Sequence, residues 1–103
     1  MSVYLHVTLE IRSKGLPDFL KAMEETAVPF LEKQGWRLAG AFIQSSGRLG
    51  TVIDLWELDD YQHYDRALAA FRSDPSFTAF KALVDETVLN ETVVFAAKAP
   101  YMR

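Results

Sequence analysis

Cysteine is absent from the 103 residues, which excludes disulfides, thiol catalysis and thiolate metal sites together. Histidine is nearly absent too, with only His6 and His63. A metal would therefore have to draw on carboxylates, and the set His6, Glu10 and Asp54 is too sparse for one to be expected. The 11 Lys and Arg are outnumbered by 14 Asp and Glu, a net charge of −3, and they form no cluster. Nucleic acid and anionic membranes are accordingly not expected as partners. No hydrophobic run reaches membrane-spanning length, and Met1-Ser2-Val3-Tyr4 does not open a secretion signal, so a cytoplasmic location and no membrane partner are expected. The five glycines form no phosphate loop, and Gly47-x-x-Gly50 has the wrong context for one.

What is present is a hydrophobic half of the chain, with seven Phe among it, which suits one globular domain over 1–103. Val3, Leu5, Val7, Leu9 and Ile11 alternate with Tyr4, His6, Thr8 and Glu10, predicting a first strand with one aliphatic face. Leu16, Phe19, Leu20, Met23, Ala27, Phe30 and Leu31 then recur at helical spacing, with Pro17 suited to the first turn. Pro29 inside that run predicts a kink, or a short second segment to Gln34. Trp36 to Gln44 and Thr51 to Leu58 read as a hairpin. Asp59 or Asp60 caps a helix with the stripe Tyr61, Tyr64, Leu68 and Phe71, which leaves His63 on the solvated side. Asp74-Pro75 opens a shorter helix, and a last strand falls between Thr87 and Ala97.

The order β-α-β-β-α-(α)-β is that of a ferredoxin-like α+β fold with a four-stranded antiparallel sheet. Helices then cover one sheet face and leave the other open. The alternation of the third strand groups Val52, Asp54, Trp56 and Leu58, a set expected on the open face beside Tyr4, His6, Thr8 and Glu10, where Asp54 faces water, is paired, or lines a cavity that something enters. A face so apolar is expected to be hidden against a second copy.

Several segments carry a resemblance: Lys14-Gly15 with Phe19-Leu20, Pro29-Phe30-Leu31-Glu32, Val52-Ile53-Asp54-Leu55-Trp56, and Ser73-Asp74-Pro75-Ser76-Phe77. Together they resemble NIPSNAP-like proteins, a branch of the dimeric α+β barrel superfamily that also holds cofactor-free antibiotic-biosynthesis monooxygenases. The resemblance implies a homodimeric barrel and no cofactor. The family commonly carries Glu-x-Arg-x-Tyr on the first strand and His before the Leu-Trp of the third. At those positions this chain has His6, Thr8 and Glu10, and Asp54.

On the open-face assignment, His6 serves as a general base oriented by Asp54, with Trp56 as a stacking wall and Tyr4, Thr8, Glu10, Phe42 and Leu58 around the ligand. The expected ligand is a small apolar or aromatic, polyketide-like molecule, and the reaction a proton abstraction, isomerisation or oxygenation. The alternative is a homodimer that binds a ligand or a protein without turnover.

Overall fold

A computed structural model describes residues 2–102. The elements are β1 (Val3–Ile11), a 3-10 turn (Ser13–Gly15), α1 (Leu16–Ala22), a π-helical turn (Met23–Ala27), α2 (Val28–Lys33), β2 (Arg37–Ile43), β3 (Thr51–Leu58), α3 (Tyr61–Arg72), α4 (Phe77–Thr87) and β4 (Val88–Ala96). The sheet runs β2-β3-β1-β4, with every neighbour antiparallel. This is the expected ferredoxin-like α+β topology, and β1 and β3 are its central pair.

The break at Pro29 has a clear local cause. Proline lacks an N–H, so the ordinary helical ladder cannot run through it. The backbone widens just before it, and the Val28 N–H donates to the carbonyl of Met23, one residue further back than in an α-helix. Two short helices thus lie in line with one wide turn between them. At the far end, Gly35 adopts φ +93°, where the chain turns into β2.

Register decides which residues of the central strands share a face. Val7 stands opposite Asp54, Leu5 opposite Trp56, and Leu9 opposite Val52. Directly opposed residues project to the same side of a sheet. The aliphatic face of β1 therefore runs together with Val52, Asp54, Trp56 and Leu58, and both sets lie beneath the helices. The expected open-face placement of Asp54, Trp56 and Leu58 is corrected by this register. His6 faces the other way, opposite Leu55, so it cannot pair with Asp54.

Three smaller expectations also shift. His63 is buried rather than solvated, because its ring bridges two chain segments: Nε2 donates to the Gln34 carbonyl at 2.6 Å, and Nδ1 accepts from the Asp59 N–H at 3.1 Å. Those two bonds place the ring proton on Nε2. Of the expected α3 stripe only Tyr61 is exposed: Tyr64 and Leu68 pack against the core and Phe71 is buried, joined by His63 and Ala67. Asp74 does not cap α4, which begins at Phe77 after Ser76. Its carboxylate instead accepts from the Ser76 N–H, closing a turn before the helix.

Candidate site between the helices and the sheet

A cavity of about 250 Å³ lies between the helix layer and the sheet. Its floor comes from β1 and β3, including Val7, Asp54 and Trp56, and Phe19 and Phe71 wall it from the helices. The wide turn before Pro29 supplies Met23 and Ala27 to the same wall. Such turns recur at functional sites because they re-aim side chains without ending a helix. Arg72, Glu91 and Val93 are the exposed lining residues and mark the mouth, at the β4 side.

Both tryptophans take part. Trp36 and Trp56 meet edge to face at 5.4 Å, and Tyr64 stacks on Trp36 at 5.9 Å. Trp36 is fixed by its indole N–H, which donates to the His63 carbonyl at 3.3 Å. The latch that buries His63 therefore also positions a cavity wall.

Asp54 is the group that stands out. It is only 4 % exposed, lines the cavity, and lies among apolar neighbours. No hydrogen bond or ion pair reaches its carboxyl among the described residues, and burial alone pushes it up from 3.8 to about 6. An acid with that value is part ionised near neutral pH. It can accept or release a proton inside the cavity.

The remaining sequence candidates divide by face. Trp56 lines the cavity, while Leu58 is buried in the core and off its wall. Tyr4, His6, Thr8 and Glu10 lie on the open face of β1, half-buried. Glu10 pairs there with Arg48 at 3.0 Å, and Tyr4 borders a surface hollow with Ser2, Glu57, Ala97 and Lys98. Phe42 stands opposite Ile53, so it too is on the open face, and it is exposed. His6 and Glu10 thus lie across the sheet from Asp54, and these three do not converge on a metal. Sequence reasoning missed Met23 and Ala27 as cavity residues, although Pro29 signalled a local irregularity. It also missed the mouth residues Arg72, Glu91 and Val93, which no motif marks.

The family model for NIPSNAP matches residues 4–102. The chain belongs to the NIPSNAP family. An uncharacterised NIPSNAP domain protein from Burkholderia xenovorans is similar in structure, with a TM-score of 0.81, 27 % identity, and coverage of 100 % of this chain and 99 % of that one. A NIPSNAP family protein from Agrobacterium tumefaciens superposes with a TM-score of 0.86 at 16 % identity, covering 98 % and 96 % of the two chains. A putative antibiotic biosynthesis monooxygenase from Caulobacter crescentus has the same fold, with a TM-score of 0.74 at 12 % identity over 95 % of this chain and 90 % of that one. No curated protein matches the chain. Membership of the NIPSNAP family agrees with the resemblance carried by the segments from Lys14 to Phe77, and it brings the ferredoxin-like fold with it. Among the described residues, no helix is long and apolar enough to cross a membrane.

Proposed function

We propose that this NIPSNAP-family chain binds a small apolar or aromatic molecule in the cavity between its helices and its sheet. The observation that carries the reading is Asp54, a buried carboxyl with no partner on an otherwise apolar inner wall. Burying such a group without a partner costs stability, and a ligand that supplies a donor recovers part of that cost. At about 250 Å³ the cavity lies just under the ~300 Å³ at which pockets begin to hold drug-sized ligands, so the occupant is compact.

Both tryptophans of the chain line this cavity, so intrinsic fluorescence reports directly on its occupancy. Titration with small aromatic compounds should change the emission saturably. Val93→Trp, placed at the mouth, should weaken binding at least tenfold without unfolding the protein. If aromatic probes perturb only the NMR signals of open-face residues such as His6 and Thr8, the cavity reading is wrong.

A second reading adds turnover: Asp54 acts as a general base in a cofactor-free proton abstraction, isomerisation or oxygenation, without His6. Its support is the carboxyl held near 6, close to the pH at which such a base works best. Asp54→Asn should then abolish turnover even at saturating substrate, where a loss of affinity no longer limits the rate.

We further propose that the open sheet face pairs with a second copy. Its support is an apolar patch on an otherwise mixed surface, with Ile53 and Leu55 half-buried and Phe42 and Val94 exposed. Sedimentation should give a dimer at micromolar concentration, and Leu55→Glu should dissociate it. A monomer at that concentration would remove the pairing and leave the cavity untouched.

A further inference from the structure

We propose that the molecule held in the cavity is a compact aromatic or arylalkyl amine, its ammonium paired with Asp54 and its apolar body reaching toward β4. The inference rests on the cavity reading and adds the chemical class of the ligand. It does not require turnover.

The sheet gives the layout. Asp54, Val7 and Val93 occupy one rung across β3, β1 and β4. Two strand spacings separate the first from the last, about 10 Å, so the carboxyl lies at the inner end and Val93 at the mouth. Asp54 is the one ionisable group among the buried residues of the wall, while Arg72 and Glu91 are both exposed at the rim. An apolar guest without a donor would leave an ionised Asp54 dry and unpaired. An alcohol supplies one neutral hydrogen bond. An ammonium supplies several donors and the countercharge, and hydrogen bonds between charged partners are about twice as strong as neutral ones.

The aromatic walls favour the same chemistry. Trp56 lies two residues from Asp54 on the same face, so the two side chains emerge about 7 Å apart, within reach of one ammonium. An indole face attracts a cation through its quadrupole. A carboxylic acid guest would meet like charge at Asp54 if it entered head first. It could enter the other way round, with its head at Arg72, and that arrangement would not depend on Asp54.

Three probes of similar size separate these cases: 2-phenylethylamine, 2-phenylethanol and 3-phenylpropionate, each titrated by tryptophan fluorescence into the wild type and Asp54→Asn. At about pH 8 the amine should bind at least tenfold tighter than the alcohol. Its affinity should fall about tenfold at about pH 5, where the carboxyl becomes mostly protonated. In Asp54→Asn the amine should lose its advantage, while the alcohol binds both proteins alike. An amine preference that survives in Asp54→Asn overturns the assignment, as does tighter binding of the alcohol or the acid to the wild type at the higher pH. In either case the cavity reading stands. If none of the three probes changes the emission, both fail.

Discussion

Leu55 and Trp56 are neighbours on β3 and point in opposite directions. Trp56 is buried beneath the helices and touches the cavity, whereas Leu55 is half-buried on the open face beside His6. The two histidines divide in a similar way. His63 is enclosed, with both ring nitrogens bonded to backbone, and His6 stands half-buried on the open face. One sheet thus has a face covered by the chain's own helices and a face that they leave open. A residue's polarity does not tell which face it occupies: the buried face holds a carboxylate and the open face holds Ile53, Leu55 and Val94.

The contrast breaks most sharply at the tryptophan. Trp56→Ala should cost about 4 kcal/mol of stability in urea unfolding, as expected for removing a large buried aromatic. Leu55→Ala should cost less than half of that. Equal losses would mean that both faces are equally sealed.

Asp54 gives the next largest effect, and its sign is opposite. Its carboxyl binds a proton more tightly in the folded state, at about 6, than in the unfolded chain, at 3.8. Between those values the native state holds the extra proton, so stability rises as pH falls from about 7 to about 4 and is lost as pH rises through about 6. The shift corresponds to roughly 3 kcal/mol. Asp54→Asn should therefore be more stable than the wild type by up to about 3 kcal/mol above pH ~7, a gain that vanishes near pH ~4. Unfolding curves across this range check it, and a variant that destabilises equally at both ends would show that the carboxyl is paired after all.

A smaller difference separates the histidines. His63→Leu leaves the Asp59 N–H and the Gln34 carbonyl without their partner, and should cost about 2 kcal/mol. His6→Leu, on the open face, should stay within about 0.5 kcal/mol in the monomer. At the low end, Arg48→Ala removes the exposed pair with Glu10 and should change stability by less than about 1 kcal/mol in low salt.

The amino-acid pattern by itself determined the element order. The period-two alternation of Val3 to Ile11, the three-and-four spacing from Leu16 to Leu31, and Gly35 at a helix end each act over a few residues, so they survive being read without a structure. The break at Pro29 was legible for the same reason, since the lost N–H is a property of that residue alone. What only the tertiary structure decided is which face each strand presents. Alternation divides β3 into two sets but carries no sign, and the sign comes from the register with β1, where a slip of one residue reverses every side chain. Assigning the Asp54 set to the open face gave the wrong sign, because Val52, Trp56 and Leu58 together gain more from burial than one carboxyl loses. The burial of His63 was hidden likewise, because one of its two partners, the Gln34 carbonyl, lies 29 residues away and only packing brings it to the ring.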